Sequence, residues 1–179
     1  MKIPQPAVEN VETFVDYLKE HDLYLATAES CTAGLIAAAI GSVSGGGQVM
    51  ESGYVVYSPQ AKHRLLGVSS NTIEEFGLTS EEVAREMATG ALHDSEANVA
   101  VATTGVAGPE PMDDIPPGTV CFAWAFATEQ GTALFSGTER FDGDREEVIR
   151  QASSHALSAV REFHQRMLQG EAPGANGMS

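Results

Sequence analysis

Short apolar runs alternate along this chain with segments of helical periodicity, and that alternation constrains the fold more than any other feature. Three of the runs, Leu23 to Ala28, Gly53 to Tyr57 and Asn98 to Thr104, have the length and composition of strands. Helix signals surround them. Residues 7–21 set Val8, Val11, Val15 and Leu18 at helical spacing with acids between them, and Leu35, Ile36 and Ile40 predict a helix ending near Gly41 and the loop Gly45-Gly46-Gly47. Ser58-Pro59 reads as an N-cap followed by a proline at the first helical position, opening a short helix that Gly67 closes. Thr79-Ser80-Glu81-Glu82 fits a capping box before a helix with Val83 and Met87 on its apolar face.

The C-terminal part patterns differently. Gly105 to Gly118 is a turn-rich loop with Pro109, Pro111, Pro116 and Pro117, and residues 119–128 and 132–141 read as a hairpin around Glu129-Gln130-Gly131. Asp144, with Glu147 three residues on, caps a last helix that aligns Val148, Ala152, Ala156, Ala159, Phe163 and Met167. Gly170 to Ser179 lacks periodicity and reads as a disordered tail. The sum is one mixed α/β domain over residues 1–169 with an antiparallel pair in its sheet.

Charge and cysteine usage exclude whole classes of function. Twenty-five acids against ten bases give a formal charge of −15, with no basic stripe to neutralise phosphates, so neither DNA nor RNA is an expected partner. There is no polybasic segment for a membrane surface, no apolar run near the roughly 18 residues a span needs, and no apolar leader at the N-terminus. Cys31 and Cys121 have neither framework nor metal-ligand spacing, which suits a reducing cytoplasm. The acidity itself reads as solubility or adaptation to a salty cytoplasm.

The chemistry centres on Thr27-Ala28-Glu29-Ser30-Cys31-Thr32-Ala33-Gly34. A strand running into a helix here puts the Ser30 hydroxyl at the carboxyl end of the sheet, where α/β folds place ligands, beside amides of a first helical turn that suit an oxyanion or phosphate. Geometry alone leaves two readings open: Ser30 as nucleophile, or Ser30 or Thr32 as a helix cap. Glu29 is likewise either a hydrogen-bonding partner in the site or a carboxylate bracing the turn. A serine nucleophile needs a base, and none of the five histidines lies in a triad context. Lysines number only three, Lys2, Lys19 and Lys62, and Lys62 lies in the helix directly after the strand ending at Tyr57. A lysine base must lose roughly 3–4 pKa units, most of it through desolvation, since the helix dipole is worth only about 0.3–1 kcal/mol. A surface lysine is the alternative.

Several further motifs follow that octapeptide in order: Tyr54-Val55-Val56-Tyr57-Ser58-Pro59-Gln60-Ala61-Lys62, Leu65-Leu66-Gly67-Val68, Ser80-Glu81-Glu82-Val83-Ala84-Arg85-Glu86-Met87, Thr104-Gly105-Val106-Ala107-Gly108-Pro109, Pro117-Gly118-Thr119-Val120 and Gly143-Asp144-Arg145. Together they resemble the CinA C-terminal domain family, which includes stand-alone nicotinamide mononucleotide amidases, over roughly residues 8–168. The resemblance implies a three-layer α/β/α sandwich with a mixed, mostly parallel sheet, usually a homodimer, that needs no metal or organic cofactor. It implies hydrolysis of nicotinamide mononucleotide to nicotinate mononucleotide and ammonia in pyridine nucleotide salvage. By motif, Ser30 matches the nucleophile, Lys62 the base and Tyr57 a nearby polar group, while Thr32, Thr104, Gly105 and Arg145 match positions around the ligand. Arg145 pairing only with Asp142 or Asp144 is the alternative for that residue.

Two departures stand out. Ala33 replaces a glycine usual in the family, neutral if the position is helical and otherwise a methyl group against the ligand. Glu110-Pro111-Met112-Asp113-Asp114-Ile115-Pro116 replaces a Gly-rich segment bearing a lysine. The competing readings are a non-catalytic nucleotide-binding or regulatory homologue, and an amidase that uses Cys31 in place of Ser30.

Overall fold

The computed structural model of the chain describes residues 10–171. Helix α1 (Val11–Glu20) leads into β1 (Leu25–Glu29), α2 (Leu35–Gly41) and β2 (Met50–Val55). Helices α3 (Pro59–Leu66), α4 (Ser70–Phe76) and α5 (Glu81–His93) precede β3 (Val99–Gly105), the hairpin β4 (Thr119–Thr128) and β5 (Gly131–Arg140), and the long α6 (Arg145–Leu168). Residues 7–9 of the expected first helix and most of the expected disordered tail lie outside the described residues. The strand order is β2-β1-β3-β4-β5. β1 pairs in parallel with both β2 and β3, whereas β3-β4 and β4-β5 are antiparallel, so four of the five strands point the same way.

Strand alternation divides the core into two unlike halves. Val99 and Val101 of β3 and Val120, Phe122, Trp124 and Phe126 of β4 face α1, α2 and α6. Their neighbours Ala100, Ala102, Cys121, Ala123 and Ala125 face α3 and α5. The first half is a bulky aromatic layer in which Phe122 stacks on Trp124, and the Trp124 indole N–H donates to the Ala156 carbonyl at 2.9 Å, tying α6 to β4. The second half is rich in alanine, which supplies every residue that β1 and β3 place in it, so α5 lies close against the sheet. Helix α3 docks as tightly: a Cβ at Gly90 of α5 would stand 2.0 Å from the Leu66 carbonyl oxygen.

Capping follows the sequence at two helices. Ser58 accepts from the Ala61 amide at 3.1 Å and Gly67 ends α3 at φ 69°, while Asp144 and Glu147 form the reciprocal capping box of α6. Helix α5 differs from expectation. Its cap is Ser80, which accepts from the Val83 amide, so valine occupies the position a capping box gives to glutamate. Helix α4 carries no predictive pattern because it buries none of its residues.

Candidate active site

The order β2-β1-β3 makes β1 a switch point: the chain leaves it for β2 on one side, while β3 lies on the other. The carboxyl ends of these three strands meet at one cleft of about 410 Å³. Its walls include Ser30, Tyr57, Lys62, Thr104, Gly105 and Arg145, six of the seven residues the motifs single out.

Alternation along β1 assigns the two faces of the site. Thr27 and Glu29 are buried on the α2 face, and Ala26 and Ala28 on the α3–α5 face. Ser30 continues that second series, and its hydroxyl meets the only lysine of α3. Lys62 is 0% exposed, and its Nζ donates to Ser30 Oγ at 2.9 Å, to the Val56 carbonyl at 2.8 Å and to the Tyr57 carbonyl at 3.1 Å. Three acceptors satisfy an ammonium. A neutral amine keeps both carbonyl bonds and turns its lone pair toward the Ser30 hydroxyl, so loss of the proton abandons no buried carbonyl. Burial without a carboxylate partner draws the Lys62 pKa down to about 8. Roughly a tenth of the side chain is then neutral at pH 7, against fewer than about one in a thousand for an ordinary lysine. Desolvation is the largest cause of the shift, and it brings the amine to within about one unit of neutrality, short of the full lowering expected of a lysine base.

The surface-lysine reading of Lys62 is overturned by its complete burial. So is the helix-cap reading of Ser30 and Thr32. Residues 31–34 form a turn, α2 starts only at Leu35, and its cap position is Gly34, which has no side chain. Glu29 caps the helix from a distance: its carboxylate accepts from the amides of Gly34 (3.0 Å), Ile36 (3.1 Å) and Ala37 (2.9 Å) and from the Thr32 hydroxyl (2.7 Å). It is the brace of the turn. The first-turn amides of α2 are consequently occupied and face away from the cleft, contrary to the expected anion site there. The turn's own bonds run from Ala33 N–H to Ser30 O and from Leu35 N–H to Thr32 O, with the amides of Cys31 and Thr32 outside that set.

Thr32 is the one motif residue the structure keeps out of the cleft. Its hydroxyl is buried between Glu29 and Thr103, 2.8 Å from Thr103 Oγ1. Thr104 Oγ1 donates to the Leu78 carbonyl at 2.8 Å and fixes the end of β3 against the α4–α5 connection. Gly105 is required by packing as well as by the cleft, since a Cβ there would lie 2.6 Å from the Thr119 carbonyl oxygen. Arg145 Nη1 donates to the Gly108 carbonyl at 2.7 Å, and neither Asp142 nor Asp144 accepts from it. Ala33 is not helical: it sits at φ 56°, a left-handed conformation costing an L-residue about 1 kcal/mol.

Cys31 touches the cleft, yet it packs into the aromatic half of the core and burial pushes its thiol up to about 12. The Lys62 amine is hydrogen-bonded to the Ser30 hydroxyl and not to this thiol, so the geometry favours Ser30 over Cys31. Among the described residues no cluster of three or more His, Cys, Asp or Glu is placed to hold a metal ion. Sequence reasoning missed the carbonyls of Val56, Tyr57 and Leu78. Backbone acceptors carry no residue signal.

A family model for the CinA C-terminal domain matches residues 8–164. A protein of Enterobacter agglomerans named nicotinamide-nucleotide amidohydrolase PncC is 46% identical over 148 residues, covering 82% of this chain and 88% of its own length. The protein of that name in Escherichia coli K12 is 42% identical over 144 residues, with 80% and 86% covered. A CinA-like protein of Chlorobium limicola is 41% identical over 159 residues, which is 88% of this chain but only 37% of that longer protein. Among solved structures, the competence/damage inducible protein CihA of Agrobacterium tumefaciens superposes with a TM-score of 0.83 at 34% identity, covering 92% of this chain and all of that one. A competence-damaged protein (CinA) superfamily protein of Escherichia coli gives 0.82 at 34% identity, covering 91% and 94%.

Proposed function

This chain belongs to the CinA C-terminal domain family, and from that premise we propose that it is an amidohydrolase that converts nicotinamide mononucleotide to nicotinate mononucleotide and ammonia. The observation that carries the proposal is the 2.9 Å contact between Ser30 Oγ and the buried, unpaired Lys62 amine at the floor of a ligand-sized cleft.

Neutral Lys62 takes the Ser30 proton as Oγ attacks the carboxamide carbon. The oxyanion of the tetrahedral intermediate is held by backbone amides beside Ser30, those of Cys31 and Thr32 being in reach of the turn. Its collapse breaks the C–N bond, with the Lys62 ammonium returning the proton to the departing ammonia. Water, deprotonated by the same amine, then attacks the Ser30 ester; as the C–O bond breaks the Lys62 ammonium returns that proton to Ser30 Oγ, and nicotinate mononucleotide leaves. Arg145 binds the phosphate, Tyr57 lends its ring to the pyridinium, and Thr104 and Gly105 shape the wall. The Thr32 side chain acts through Glu29 and the turn, without touching substrate. The setting is pyridine nucleotide salvage in the cytoplasm, and the assembly is a homodimer that covers the apolar side chains left exposed on β2, α3 and α4, among them Val55, Leu65 and Phe76. No helix among the described residues is long and apolar enough to cross a membrane.

Ammonia release from nicotinamide mononucleotide by wild type and Ser30→Ala tests the proposal. Turnover by wild type alone is expected. Ligand-induced thermal stabilisation without ammonia from wild type would make the chain a non-catalytic binder instead.

A further inference from the structure

The fixed charges of the cleft are few, and they differ in sign. Besides Lys62, whose amine is engaged with Ser30, the acidic and basic side chains on its walls are Glu110 and Arg145. Both are set by one loop. Arg145 is tethered to the carbonyl of Gly108, two residues before Glu110, and Glu110 has no hydrogen bond or ion pair of its own among the described residues. The surrounding wall is apolar, including Leu78, Val106, Pro109 and Met112, so little in it offsets a carboxylate. An exposed carboxylate without a partner among the described residues, on the wall of the cleft that holds Ser30, is available to a cation in the ligand.

Resting on the amidase reading, we propose that Glu110 is a specificity-determining residue that selects carboxamides on a permanently cationic ring over the same carboxamides on a neutral ring. A pyridinium nucleotide carries one fixed positive charge on its ring and a negative charge at its phosphate. Glu110 and Arg145 offer the complementary pair. The ring charge is present before and during attack at the carboxamide, so Glu110 binds ground state and transition state alike, and its contribution falls on KM. With Glu110 on one wall and Arg145 on another, the cleft matches a zwitterionic ligand at both of its charges.

The experiment compares nicotinamide mononucleotide with its reduced 1,4-dihydropyridine form, which keeps the carboxamide, ribose and phosphate but has an uncharged ring. In Glu110→Gln, KM for the oxidised nucleotide is expected to rise about tenfold with kcat within about twofold, while both constants for the reduced nucleotide stay within about twofold. Glu110→Lys extends the change in the same direction. Taking each variant's ratio to wild type removes the intrinsic difference in reactivity between the two amides. Equal losses for both nucleotides, or no loss for either, would overturn the inference. If wild type releases ammonia from neither nucleotide, the amidase reading falls separately, and ligand-induced thermal stabilisation then decides the role of Glu110. Wild type must bind the oxidised form several-fold more tightly and Glu110→Gln must lose that preference; equal affinities in wild type would sink the idea.

Discussion

Two ionisable side chains are wholly buried on opposite faces of β1, and they are held in opposite ways. Glu29, on the α2 face, receives four hydrogen bonds from Thr32 and from the amides of Gly34, Ile36 and Ala37. Lys62, on the α3 face, gives three, of which two go to carbonyls and one to the Ser30 hydroxyl. The difference lies in the partners: Glu29 is met by three backbone amides and a hydroxyl, none of which has a proton to lose in the reaction. A proton taken from Lys62 leaves both carbonyls satisfied and creates an acceptor for the one partner that itself has a proton to give. Burial is common to both; the Lys62 arrangement has two satisfied states, and that is what general-base chemistry needs.

The most forceful way to break this comparison is to remove either member of the reactive pair. Ser30→Ala and Lys62→Met are each expected to lower kcat/KM for amide hydrolysis by about 10³-fold or more, with the chain still folded by circular dichroism. Cys31→Ala is expected to keep most of the activity, and its loss would reinstate the thiol as nucleophile. Next in size is pH. Because Lys62 acts when neutral and its pKa is lowered to about 8, kcat/KM should rise with pH to a plateau above that value and fall about tenfold per unit below it, roughly 100-fold down at pH 6. A flat profile between pH 6 and 9 would remove Lys62 as the base.

The saturated network should answer in stability. Glu29→Gln sets an amide NH₂ among donors, and a loss of about 3 kcal/mol is expected, a fall in Tm of roughly 6–12 °C in a domain of this size. If the variant keeps wild-type Tm but loses turnover, Glu29 belongs to the chemistry and the contrast with Lys62 fails. The smallest effect tests the turn between them. Ala33→Gly relieves the left-handed backbone and should stabilise by about 1 kcal/mol, raising Tm by roughly 2–4 °C.

What could be read in the sequence, and what could not, follows the same division. Ser58, Pro59 and Gly67 announce the ends of α3 because capping acts within three or four residues, and they place Lys62 on a helix behind the Tyr57 strand. Asp144 and Glu147 do the same for α6. Glu29 gives no such signal, since it caps a helix that begins six residues later across a turn with two left-handed residues, Ala33 and Gly34. Thr32 fails as a substrate contact for the related reason that its hydroxyl points to Glu29, which only the turn geometry decides. Helix α4 lacks buried residues and hence the apolar stripe by which helices are recognised. The two carbonyls that hold Lys62 belong to the backbone, where residue identity says nothing.

The close seat of Gly90 against Leu66 bears on the reactive pair from a distance. Leu66 lies one helical turn beyond Lys62, so the spacing between α5 and α3 fixes how far the lysine reaches toward β1. Ser30 stands on the sheet and Lys62 on the layer above it, and the 2.9 Å between them is a small remainder left after a stack of alanines and one glycine has been added up. A methyl group inserted far from the cleft would enter that sum at full value. The catalytic tolerance of the molecule is thus written in the thickness of its plainest layer.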